Sequence, residues 1–172
     1  MGIYGATKAA ATLVASAFAV RERLPLAVLR PFSVYGPGEG GQKFVPSVIR
    51  ACLKGENPRL SSCRQIRDYL YVDDLVESYL KAAGLRGTPP VILNVASGVG
   101  LSLRDLAAEI VRYFPGARAE FGALPDRDGE IWKVQADITR AKTVMGWAPT
   151  WSLEKGIGMT VEWFRRHDSR VG

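Results

Sequence analysis

Cysteine and histidine are scarce in these 172 residues: two cysteines, Cys52 and Cys63, and one histidine, His167. The cysteines have no CxxC spacing and no histidine partner, so neither a zinc site nor a disulfide framework is expected. No unbroken apolar run approaches the roughly 20 residues that a membrane-spanning helix needs. Met1 to Lys8 lack the basic start and long apolar core of a secretory signal. Repeats, low-complexity tracts and linkers are absent as well. These absences point to a cytoplasmic protein with no membrane partner and no bound metal.

What remains is ordinary globular composition, with 47% hydrophobic and 23% charged residues. The length suits one domain. A net charge of +6 invites a polyanionic partner. The basic residues are scattered, however, and no zinc-finger, RNP-type or basic-zipper signature is present, which argues against nucleic acid. Isolated arginines suit small anions such as diphosphates, because guanidinium binds phosphate oxygens as a fork.

Thr7–Val20 reads as a helix with small or apolar residues all round, which implies burial on more than one face. Leu26–Leu29, between Pro25 and Arg30-Pro31, reads as a strand buried on both faces. A glycine-rich stretch, Tyr35–Gly41, precedes a helix over Val45–Leu53. Arg67–Val72 has strand composition and runs into Asp73-Asp74, which suit the cap of a helix reaching Ala83. Val91–Val95 is a second buried strand, closed by Ser97-Gly98. Ser102–Asp105 resembles a capping box opening a helix to Phe114. Asp137 and Ser152 are expected to cap two more helices, the second ending near Arg166. Alternating strands and helices define an α/β chain. Two strands alone cannot bury both faces of a parallel sheet, so the chain reads as part of a larger sheet domain.

Tyr4 and Lys8 stand four residues apart, hence on one helix face. Tyrosine acts as a proton donor and acceptor near neutrality only where positive charge favours its phenolate, and a neighbouring ammonium supplies that charge. The spacing equally fits a surface tyrosine and lysine.

The motifs that follow narrow the choice. Tyr4-Gly5-Ala6-Thr7-Lys8, Leu29-Arg30-Pro31-Phe32-Ser33-Val34-Tyr35-Gly36-Pro37-Gly38 and Arg67-Asp68-Tyr69-Leu70-Tyr71-Val72-Asp73-Asp74 occur in that order. Asn94–Gly98 and Ala136-Asp137-Ile138 through Met145-Gly146-Trp147-Ala148-Pro149 complete the series. Together they resemble the extended short-chain dehydrogenase/reductases, the NAD-dependent epimerases and dehydratases of nucleotide sugars.

The resemblance implies a partial doubly wound, Rossmann-like parallel sheet plus a small α/β substrate-binding lobe. Residues 1–40 and 84–100 would belong to the cofactor-binding sheet, and 41–83 and 101–172 to the substrate lobe. Tyr4 would be the general acid–base, with Lys8 on the nicotinamide ribose. Phe32 and Val34 would line the cofactor and Ser33 the sugar, at the carboxyl end of a strand. Ser33 stands where many relatives have Asn. Arg67 and Arg127 would clamp the diphosphate, and Lys43 and Phe44 would line the base pocket. A surface or structural salt bridge is the lesser alternative for the two arginines, and a simple helix entry accounts for Lys43 and Phe44 equally well. Asp68 and Asp74 read as structural, and the four tryptophans, Trp132, Trp147, Trp151 and Trp163, as packing residues.

The glycine-rich strand–loop–helix that holds the cofactor pyrophosphate in such proteins is not in this sequence. Nor are the residue that selects NAD or NADP and the Ser or Thr that assists the tyrosine. Two expectations follow. One is the C-terminal portion of an epimerase or dehydratase, truncated or completed by another chain. The other is a catalytically inactive module that binds a nucleotide diphosphate or a protein. A homo-oligomer or a complementary chain is expected in either case.

Overall fold

A computed structural model describes residues 2–86 and 89–167. The first helix, α1 (Ile3–Arg21), is built from alanine and other good helix formers. It ends in a Schellman turn: the Arg23 amide donates to the Val20 carbonyl and Leu24 to Ala19, with Arg23 in the left-handed region at φ 54°. Pro25 then prevents any continuation. Two expectations about α1 need correction. It is long and apolar enough, by length and composition alone, to cross a membrane, because alanine, leucine, valine and phenylalanine dominate and charged residues are few. It is also not buried on two faces. Ala19 is its only buried residue, while Leu13 and Val14 are 71% and 69% exposed.

Among the described residues seven short strands form three small sheets, where two buried strands and a strand over Arg67–Val72 were expected. β1 (Ala27–Pro31) pairs in parallel with β5 (Val91–Val95), from Ala27 opposite Val91 to Pro31 opposite Val95. β2 (Ser33–Tyr35) lies parallel to β4 (Ile66–Tyr71), and β6 (Gly100–Ser102) runs antiparallel on the other side of β4. β3 (Arg59–Leu60) and β7 (Glu120–Phe121) make a separate parallel pair. Contrary to expectation, β1 is half-buried with Arg30 and Pro31 exposed. Its second edge has no strand beside it among the described residues.

The remaining helices are α2 (Phe44–Leu53), α3 (Val72–Ala83), α4 (Leu103–Val111), α5 (Thr139–Met145) and α6 (Leu153–His167). One core lies among α2, α4 and α6, around Val48, Ile49, Leu106, Ile110, Ile157 and Phe164. A second gathers Leu70, Leu93, Val95, Met145 and Trp147 beneath α3 and α5. Ser102 caps α4 as expected, its Oγ accepting from the Asp105 amide at 3.0 Å. Ser152 does the same for α6, accepting from the Lys155 amide at 3.2 Å. Asp137 acts one residue before the cap position of α5 and accepts from the Thr139 amide at 2.8 Å.

Asp74 does not cap α3, whose cap residue is Tyr71. It is fully buried and accepts from the Thr150 amide and hydroxyl and the Trp151 amide, at 2.8, 3.0 and 3.1 Å. Asp68 works in the same way. Its carboxylate accepts from the Ser97 amide and hydroxyl at 2.8 and 2.6 Å, and from the Gly98 and Ala136 amides, both at 3.1 Å. These two carboxylates lock β4 and the start of α3 to distant loops. Trp132 departs from its expected packing role: it is 48% exposed, with the Arg64 guanidinium 5.6 Å from its ring.

Candidate active site and ligand face

Tyr4 and Lys8 are brought together on α1, with Lys8 Nζ 5.6 Å from the Tyr4 ring centre. Both open into a cleft of about 720 Å³ between α1 and β1, whose floor is Gly5, Thr12, Ala15 and the end of the strand at Pro31. Small residues on this side of the helix keep the cleft open. An ammonium and a phenol in such a cleft fit the hydroxyl-rich ribose end of a dinucleotide. Among the described residues nothing of GxxGxxG pattern accompanies them to hold a pyrophosphate.

At the end of β1 the chain turns into β2. The Phe32 amide donates to the Val95 carbonyl at 3.0 Å, and its ring packs on Ala96, Ala136 and Ile138. Register then decides what shares a face. Ser33 lies opposite Tyr69, Val34 opposite Leu70 and Tyr35 opposite Tyr71, while Arg67 lies opposite Leu101 on β6. Side chains alternate along a strand, so Ser33, Tyr35, Arg67, Tyr69, Tyr71 and Leu101 occupy one face and Val34 the other. Lys43 is exposed at the start of α2, and Phe44 packs on the helical core.

Arg67 is held within the chain. Its Nη1 donates to the Ile66 and Ile131 carbonyls at 2.8 and 2.6 Å, and its Nη2 pairs with Glu130 at 2.6 Å. Glu130 also accepts from the Gln65 amide at 3.1 Å. That bond, and then the Arg67 charge, hold its carboxyl below the usual carboxylate range. Arg127 is exposed on the turn just before, where its carbonyl accepts from the Glu130 amide at 3.2 Å. Arg67 thus meets Glu130 at one end of this turn, and Arg127 stands at the other end in sequence.

Several residues of this face escaped sequence reasoning. Tyr35, Tyr69 and Tyr71 pack edge to face, with ring centres 6.1 and 5.6 Å apart around Tyr35. With Trp151, Leu101 and Leu153 they line a cavity of about 480 Å³. Burial pushes the Tyr35 and Tyr69 hydroxyls well above the ordinary tyrosine range. Burial also raises the Glu39 carboxyl to about 7, against the pull of Lys43. The strict alternation Gln65, Arg67, Tyr69, Tyr71 was the signal that could have found this row.

Residues 1–96 match the model of the NAD dependent epimerase/dehydratase family, and the chain belongs to that family. It is 37% identical over 130 residues to CDP-abequose synthase of Salmonella typhimurium, covering 72% of this chain and 43% of that protein. It is 34% identical over 168 residues to UDP-glucose 4-epimerase of Mycolicibacterium smegmatis, covering 94% and 52%. Among solved structures, MoeE5 in complex with UDP-glucuronic acid and NAD superposes with a TM-score of 0.86 at 32% identity, over 95% of this chain and 55% of that one. The α/β class with parallel strands and the extended short-chain dehydrogenase/reductase resemblance both stand on this likeness. The family is NAD-dependent. The chain spans about half the length of the curated relatives it matches.

Proposed function

We propose that this chain provides the proton-transfer and diphosphate-holding portion of an NAD-dependent epimerase or dehydratase acting on a nucleotide sugar. The observation that supports this most is the pairing of Tyr4 with Lys8 over a cleft that ends at the carboxyl end of β1. Bound there, NAD supplies the hydride acceptor and donor. The Tyr4 phenolate takes the proton of the sugar hydroxyl and the resulting phenol returns it, while the Lys8 ammonium holds the nicotinamide ribose and favours the phenolate. Phe32 and Val34 border the cofactor, and Ser33 faces the sugar. Arg67 and Arg127 receive the diphosphate, and Lys43 and Phe44 flank the base.

In this reading 1–40 with 84–100 form the cofactor side and 41–83 with 101–172 the substrate side. The adenosine and pyrophosphate contacts come from chain outside these 172 residues or from another polypeptide. The protein works in the cytoplasm, where nucleotide sugars are made and used.

Calorimetry on the 172-residue chain tests this reading with UDP-, dTDP-, GDP- and CDP-glucose, and with NAD at millimolar concentration. One of the nucleotide sugars is expected to bind, and Arg67→Ala or Arg127→Ala to weaken it by about 1.5–3 kcal/mol, the worth of a charge-assisted contact. NAD alone is expected to bind weakly. Unchanged affinity in both arginine variants removes the diphosphate clamp, and micromolar NAD affinity overturns the division of the cofactor site.

A further inference from the structure

The chain leaving β3 runs beside the chain leaving β7. The Leu124 amide donates to the Leu60 carbonyl at 3.1 Å, and further on the Ile66 amide donates to the Trp132 carbonyl at 2.8 Å. Between these two ties Asp126 and Glu130 are half-buried, while Arg127, Asp128 and Gly129 are exposed. The second segment is the longer of the two here, and the exposed residues are its surplus, displayed as a turn. Gly129, in the left-handed region at φ 71°, lets the Glu130 amide close that turn on the Arg127 carbonyl at 3.2 Å.

Each half-buried carboxylate anchors one end of the turn. Asp126 Oδ1 accepts from the Ser62 amide at 3.1 Å and from the Ser62 hydroxyl at 2.9 Å. The hydroxyl bond above all holds the Asp126 carboxyl below the usual carboxylate range, so it is ionised at neutral pH. Glu130 is anchored by Gln65 and Arg67 at the other end. Arg127, between the anchors, has no hydrogen bond or ion pair from its guanidinium among the described residues. Ordering a mobile loop on binding lowers affinity, so a cation on a turn that is already ordered holds an anion more tightly than one on a loose turn.

Resting on the reading of Arg127 as a diphosphate arm, we propose that Asp126 and Ser62 are positioning residues whose hydrogen bonds hold this turn ready to present Arg127 to the ligand. Neither touches the anion. Charge and tether then predict opposite signs for the loss of Asp126. If only its charge mattered, removing an anion beside the arm would tighten a diphosphate. If it holds the turn, removing it weakens the same ligand.

Calorimetry on the full chain tests this with inorganic pyrophosphate and with the tightest binder among UDP-, dTDP-, GDP- and CDP-glucose. Asp126→Ala is expected to weaken both about fivefold, because the turn must then be ordered on binding. Asp126→Asn keeps the acceptor and is expected to bind within about twofold of the wild type. Ser62→Ala removes one of the two donors and is expected to weaken both ligands about threefold. In a chain that already carries Arg127→Ala, neither Asp126→Ala nor Ser62→Ala is expected to change binding further, because both act through Arg127. Asp126→Ala binding as tightly as the wild type, or tighter, overturns this inference, and so does Asp126→Asn binding as weakly as Asp126→Ala. Where Asp126→Ala does not fold, Ser62→Ala at wild-type affinity overturns it in the same way. An equal loss on adding Asp126→Ala to Arg127→Ala also overturns it, since the effect would not pass through the arginine. In each of these cases Arg127→Ala alone still weakens the ligand, and the diphosphate arm stands. If Arg127→Ala binds every probe as the wild type does, or the wild type binds none, the diphosphate reading falls together with this inference.

Discussion

At the scale of single residues, charge is placed where burial makes it expensive. Glu39 shows the consequence. Its carboxyl titrates at about 7 in the folded chain, against an ordinary value of 4.5, because burial disfavours the anion more than Lys43 favours it. A raised carboxyl pKa means that the folded state holds the proton more tightly than the unfolded state does. Stability is therefore greatest below the unfolded value and falls as pH rises from about 4.5 to about 7. Glu39→Gln removes this titration and keeps the shape. Urea unfolding is expected to find the variant about 1–2 kcal/mol more stable than the wild type at pH 8, with the difference shrinking towards pH 5. A difference independent of pH would show that Glu39 is ionised throughout. Arg67 illustrates the opposite arrangement: its cation is matched within the chain by Glu130, which holds the guanidinium in place.

At the scale of elements, local signals were legible and long-range ones were not. Helix caps at Ser102 and Ser152, the helix over α2 and the strand Val91–Val95 all follow from short-range chemistry written in adjacent residues. The aspartates show where that reading ends. Asp73-Asp74 looks like a cap because the residue types suit one, yet Asp74 turns to amides 76 and 77 positions away. No local pattern announces such a partner. The Tyr4–Lys8 pair was visible because a helix brings residues four apart together within one element. The Gln65–Glu130–Arg67 group was not, because it joins a strand to a loop more than sixty residues on.

Asp68 gives this a measurable form. It joins β4 to the turn after β5 and to the segment before α5 through four hydrogen bonds from Ser97, Gly98 and Ala136. Asp68→Ala leaves buried amides without an acceptor, each costly in itself. The expected loss is about 3 kcal/mol in urea unfolding, with a lowered midpoint and an unchanged slope. A loss under about 1 kcal/mol would mean that these loops are held by their other contacts and not by the Asp68 carboxylate.

At the scale of the whole molecule, α1 sets the terms of assembly. One side of the helix carries Tyr4, Lys8, Thr12 and Ala15 over the cleft. The opposite side carries Ala10, Leu13, Val14, Ala17 and Phe18, spaced as an apolar stripe and exposed to solvent. An apolar stripe of this length is ordinarily buried, and these residues alone do not bury it. β1 adds an edge with no strand beside it among the described residues, ready to pair with another chain. Each Å² of such apolar surface left in water forgoes about 25 cal/mol, against a total stability of only about 5–15 kcal/mol for a domain. Self-association through the outer stripe, or capture of a complementary chain along the edge and cleft, removes both liabilities. The chain is therefore expected to run as a homo-oligomer, or with a partner, or to aggregate, when light scattering follows size exclusion at low micromolar concentration. Leu13→Glu with Phe18→Glu places charge in the outer stripe and should dissociate a homo-oligomer built on it, while leaving assembly through the β1 edge intact. A monodisperse wild-type species at 18.8 kDa with one cooperative melt would show that α1 and the edge of β1 are stable in water as they stand.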